Sequence, residues 1–179
     1  AGNRLFYRND TQSPFRQSAI KGLKDAHSVA FNPHDRLFYA TDTGNHQLIT
    51  FRDPANSGVQ TRQTSLAEIK LQRPHDIVFD QATGWLYSLN PDSSQVFRFK
   101  TTGKTAGALD LSQQLGYSRA LTIVDGRLYV VGSSVGAVVE VIHFSKQEYK
   151  IHNSFEKKKD APAGSWKSTG LVLNDVDFF

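Results

Sequence analysis

The sequence predicts an all-β fold: a β-propeller of four-stranded antiparallel blades, as a segment of a larger ring of about six blades. Three observations predict it. The chain repeats itself, with His27 aligning with His75, Phe31 with Phe79, Tyr39 with Tyr87 and Asp42 with Asn90 at a constant offset of 48 residues. Each repeat is a series of short apolar runs divided by turn residues. Both ends of the chain fall inside a repeat, so the expected parts are residues 1–25 (end of a blade), 26–73, 74–117 and 118–167 (blades), and 168–179 (start of a blade).

The elements follow in order. Asn3–Arg8 matches a third strand, because Asn3 to Ala26 and Gln95 to Ser118 span the same number of residues. Val29–Phe31, Leu37–Ala40 and Leu48–Phe51 are rich in β-branched, aromatic or other apolar residues and read as three strands, with Val59–Ser65 as the fourth. The turns between them are Asn32-Pro33-His34-Asp35 and Asp42-Thr43-Gly44-Asn45. In the second unit the turns are Asp80–Gly84 and Asn90–Ser94, and the fourth strand is Thr105–Leu111. The third unit, Ser118–Ser145, is a looser copy in which Tyr129 takes the place of Tyr87 and a tighter Asp125-Gly126 turn joins the first two strands. Its fourth strand is Gln147–His152. Ser65–Leu71 and Leu111–Leu115 are the helical candidates, both too short to build a layer. Asn174-Asp175-Val176-Asp177-Phe178 matches His75–Phe79 and so reads as a first strand.

Composition narrows the function. Of 179 residues 39% are hydrophobic and 21% charged, as in globular chains. A net charge of +4 is too mild to argue for nucleic acid without a basic patch. No run approaches the roughly 18 apolar residues of a membrane helix. Cysteine is absent, which removes disulfides, thiolate metal sites and Cys nucleophiles. Methionine is absent too, and an Ala1 start is what a processed or incomplete chain would show, with a secreted or periplasmic location as the expectation.

The first unit resembles the NHL repeat, through Ala26-His27-Ser28-Val29-Ala30 and Asp42-Thr43-Gly44-Asn45-His46-Gln47-Leu48. The second keeps Pro74-His75-Asp76-Ile77-Val78 but changes the second motif to Asn90-Pro91-Asp92-Ser93-Ser94. The third keeps the apolar skeleton alone. This resemblance speaks for architecture, since one propeller type hosts scaffolds, binders and enzymes.

In a propeller the first strand of each blade lines the central channel and starts near one rim. The repeat places His27, His75, Arg119 and Asn174 in that starting slot, followed by Ser28, Asp76, Ala120 and Asp175. Convergent polar side chains at a channel mouth make a ligand site. With Arg119 beside two histidines, the ligand expected is an anionic small molecule, or a protein or peptide partner, because guanidinium binds carboxylate and phosphate through paired hydrogen bonds. Two further expectations rest on resemblance. The Asn174-Asp175-Val176 and His75-Asp76-Ile77 openings resemble those of gluconolactonase- and paraoxonase-like propellers, which implies Ca²⁺ held by Asn174, Asp175 and Asp76 and hydrolysis of lactones or esters. Two histidines in equivalent slots resemble the zinc-binding channel of amidating-lyase propellers, although Arg119 in the third slot departs from that pattern and repels a metal.

Elsewhere the sequence reads as structure. Gly132–Gly136 lies between two strands and is a hairpin turn, not a phosphate loop. Lys157-Lys158-Lys159 reads as a solvated charge run in a polar insertion, Glu156–Ser168, and Trp166 within it reads as an exposed aromatic of the kind that binding loops carry. Trp85 opens a second strand and is expected to pack between blades. Asn9-Asp10-Thr11 matches a glycosylation sequon but reads first as a polar turn.

Overall fold

The computed structural model describes residues 3–56, 58–66, 69–100, 105–132 and 137–153. Within them three four-stranded antiparallel sheets recur, each with strands in sequence order. The first blade is β3 (Ala26–Asn32), β4 (Leu37–Asp42), β5 (Gln47–Phe51) and β6 (Val59–Gln63). The second is β9 (Asp76–Asp80), β10 (Trp85–Asn90), β11 (Gln95–Phe99) and β12 (Thr105–Asp110). The third is β13 (Ser118–Val124), β14 (Arg127–Gly132), β15 (Ala137–His143) and β16 (Glu148–Asn153). Before them, β1 (Phe6–Tyr7) pairs with β2 (Arg16–Gln17) in a two-stranded sheet. The insertion with its lysines and Trp166, and the final stretch with Asn174 and Asp175, lie outside the described residues.

Register explains why the repeat is visible. Tyr39 faces Ala30 and Thr50 in the first blade, and Tyr87 faces Val78 and Arg98 at the matching places in the second. The turn between the first two strands needs a positive φ, and it falls on Arg36 (58°), Gly84 (71°) and Gly126 (72°), equivalent positions in the three units. Glycine takes this conformation without a Cβ penalty. Asp125 at 48° joins Gly126 in the two-residue hairpin the sequence predicts.

The inner strands β3, β9 and β13 lie side by side, and the cores sit between blades. Tyr39 and Leu48 of the first blade meet Ile77, Leu86 and Phe97 of the second. Leu89 and Val96 of the second meet Leu121, Val130 and Val139 of the third. Trp85 packs against this second core. Such sheet-on-sheet burial stacks neighbouring blades.

One expected helix is corrected. Ser65–Leu71 forms β7 (Ser65–Leu66) and β8 (Ile69–Lys70), an antiparallel pair. Its Leu66 and Leu71 are buried in the core between the first two blades, and the Leu71 amide donates to the Thr64 carbonyl (2.9 Å). Burial of those two leucines and the closing bond outweigh what one isolated helical turn could contribute. Leu111–Leu115 does end in one helical turn, α1 (Ser112–Leu115). At Asn9-Asp10-Thr11 the Asp10 carboxylate accepts the Gln12 and Ser13 amides (2.8 and 2.7 Å), which makes a polar turn.

Candidate functional site

The turn after each second strand sets the lead-in to that blade's own inner strand. Asp42 ends β4 fully buried, and its Oδ1 accepts the Lys24 amide at 2.6 Å. Its Oδ2 accepts Asn45 Nδ2 (2.8 Å) and Gln47 Nε2 (2.5 Å). In the second blade Asn90 Oδ1 accepts the Gln72 amide (2.9 Å), the same contact one repeat later. Gly44 is required in the first turn, because a Cβ there would lie 2.7 Å from the Lys24 carbonyl oxygen. These contacts fix the backbone three residues before His27 and His75.

From there the inner strands are tied to one another. Ser28 Oγ accepts the Ile77 amide (3.3 Å). Asp76, its repeat equivalent, reaches the next blade more firmly: Oδ2 accepts the Leu121 amide at 2.7 Å, while Oδ1 accepts its neighbour Ile77 (2.9 Å). Thr41 of β4 adds a bond to the His75 carbonyl (3.1 Å). A lone carboxylate with both oxygens on amides offers a calcium ion little of the shell of six to eight oxygens it takes. Asn174 and Asp175, the other calcium candidates, lie outside the described residues. Among the described residues no three His, Asp or Glu side chains gather closely enough to hold a metal.

The structure brings the His27 and His75 rings together and sets the Arg119 backbone against His75. The two imidazoles stack, with centroids 4.0 Å apart and planes 29° from parallel. His75 Nδ1 lies 3.0 Å from the Arg119 carbonyl oxygen. A carbonyl only accepts, so Nδ1 carries the hydrogen and the neutral ring keeps its lone pair on Nε2. The Arg119 guanidinium stands 5.2 Å from the Tyr117 ring centroid. Asp25 adds a residue that the slot alignment does not reach. Its Oδ1 is 3.3 Å from His27 Nε2 and buried without another hydrogen-bond partner. Nothing in the repeat marks it, because Arg73 and Tyr117 occupy the same position in the next two units.

Burial holds the His75 imidazole below the ordinary histidine value, and the His27 ring and the Arg119 cation push the same way, against Asp76 and the Arg119 carbonyl. The folded chain therefore takes up this proton less readily than the unfolded one. In the window below about pH 6.5, stability rises with pH and is lost on acidification until the folded value is passed. His75→Gln keeps a donor for the Arg119 carbonyl and removes the titration. Chemical denaturation across that window should show a flatter pH dependence in the variant; an unchanged slope would assign the acid sensitivity to another group.

A second ionisable cluster lies on the outer strands. Glu140 is buried and accepts Arg127 Nη1 and His152 Nε2, both at 2.8 Å. Burial raises its carboxyl pKa, but the hydrogen bonds from His152 and Arg127 prevail and hold it below the usual range. It ties β14, β15 and β16 together at the blade's own edge, away from the mouth.

No protein-family profile matches this sequence, and no curated protein does. Solved structures do resemble it. In a nidogen/laminin complex, 78% of this chain superposes on 51% of the other at TM-score 0.59 and 16% identity. In a catalytically inactive virginiamycin B lyase from Staphylococcus aureus with quinupristin, 85% superposes on 50% at 0.62 and 10%. In the hydrazine synthase of Kuenenia stuttgartiensis, 75% superposes on 36% at 0.51 and 15%. The chain thus spans about half the length of the first two. These likenesses establish a β-propeller fold.

Proposed function

We propose that this propeller is a binding module whose channel mouth receives an anionic group, a carboxylate or phosphate on a small molecule or on a partner. One observation carries the reading: two stacked histidines meet the Arg119 backbone at the start of adjacent inner strands, with Asp76 committed to backbone amides and Asp25 held against His27 Nε2. Arg119 makes no ion pair among the described residues, and its guanidinium lies over the Tyr117 ring. Histidine donors strengthen the same interaction once protonated. Two imidazolium rings at this stacking distance repel, so an anion at their edges relieves repulsion as well as gaining bonds.

Isothermal titration with inorganic phosphate tests it. Arg119→Ala should weaken binding by about 1.5 to 3 kcal/mol, the worth of a charged hydrogen bond, which is roughly tenfold to 100-fold in affinity. Affinity should rise as pH falls through the histidine range. A folded Arg119→Ala protein that binds phosphate as tightly as the parent would remove Arg119 from the site.

A further inference from the structure

At the opposite rim, where the inner strands end, the second and third blades frame a groove of about 340 Å³. Asp80, Tyr87 and Arg98 line it from the second blade, and Leu128, Phe144 and Lys146 from the third. Arg98 dominates its chemistry. The guanidinium carbon stands 4.6 Å from the Trp85 ring centroid and 4.8 Å from that of Phe144, so aromatic faces from two blades flank it. Nη2 donates to Ser145 Oγ (2.8 Å), while Nε is buried with no hydrogen-bond partner.

The cation also has no direct ion-pair partner among the described residues, and neither has Lys146. Asp80 lies in the same lining, held to its own turn, where its Oδ1 accepts the Ala82 amide (3.0 Å) and its Oδ2 the Thr83 hydroxyl. Aromatic faces stabilise a guanidinium that has given up water, and of its in-plane N–H groups Nη2 is taken by Ser145 and Nε is buried without a partner. An oxyanion fills that plane with the geometry guanidinium prefers. Leu128, Val141 and Phe144 supply apolar walls for whatever body carries the oxyanion, and the volume lies within the range of small-molecule pockets.

We propose that this inter-blade groove is a second binding site, for a small aromatic carboxylate whose oxygens meet the Arg98 guanidinium and the Lys146 ammonium while its ring lies against the apolar walls. The site is separate from the channel mouth and stands whether or not the mouth binds anions.

Benzoate titrated into the full chain, followed by amide NMR, tests this, with benzyl alcohol as the neutral analogue. Saturable shifts should centre on Tyr87, Ser145 and Lys146, be absent with benzyl alcohol, and persist in Arg119→Ala. Arg98→Gln should abolish them. Because Arg98 also fills space between blades, Lys146→Gln on the exposed turn provides a variant that leaves the aromatic contacts in place, and it should weaken benzoate roughly tenfold. No saturable response, an equal response to benzyl alcohol, or binding that survives both substitutions would overturn the proposal.

Discussion

Asp42→Ala is expected to cost about 2 to 4 kcal/mol of stability, because a buried donor left unsatisfied costs about 1 to 3 kcal/mol and a second charge-assisted bond is lost with it. The carboxylate is fully buried and takes the Lys24 amide, the Asn45 amide group and the Gln47 amide group, with Arg62 Nη1 a further 3.9 Å away. Alanine orphans the buried Gln47 amide group and leaves the Lys24 amide without its acceptor, while Asn45 keeps the Gly22 carbonyl. Asp42→Asn supplies an internal control from the protein's own repeat, since Asn90 does the same work for Gln72. Asparagine keeps one acceptor for Lys24 but turns its NH₂ toward two other donors, so its loss should be smaller, about 1 to 2 kcal/mol. Urea denaturation of the two variants checks the order. Equal losses would mean that the lead-in to His27 is held by packing and not by this carboxylate.

Asp76→Ala should come next. Its carboxylate bridges two inner strands through the Leu121 amide, a charge-assisted bond worth about 1.5 to 3 kcal/mol, and it also covers the Ile77 amide. Asp76→Ser should recover part of the loss, because Ser28 makes the equivalent link to Ile77 from the preceding blade. Thermal unfolding of Asp76→Ala and Asp76→Ser measures both. If serine recovers nothing, the inner strands are held by the cores alone.

The blades were legible because a propeller writes its geometry into sequence period. Tyr39 and Tyr87 share an offset with Asp42 and Asn90, and Arg36, Gly84 and Gly126 share one turn position. The short Ser65–Leu71 segment was not legible: it is too brief to carry a period, and what decides it is burial of Leu66 and Leu71 against a neighbouring blade. At the mouth, position in the repeat was enough to bring His27, His75 and Arg119 to adjacent strands. The stacking of the imidazoles was beyond reach, since it depends on the angle between blades. Asp25 was hidden for another reason, that it belongs to one unit only. Arg98 shows the limit most clearly: its aromatic partner Phe144 lies in the next blade, and no local pattern announces a contact across that distance.

The most direct test of the channel mouth is the titration of the His27 and His75 imidazole protons by NMR, with and without inorganic phosphate. Without phosphate, His75 should titrate below the ordinary histidine value, because burial and the neighbouring His27 ring oppose its charge. An anion bound at the mouth must favour the protonated ring by linkage, so phosphate should move the His75 titration upward, and Arg119→Ala should abolish most of that movement. A His75 titration that phosphate leaves unchanged would contradict the account of this mouth as an anion site.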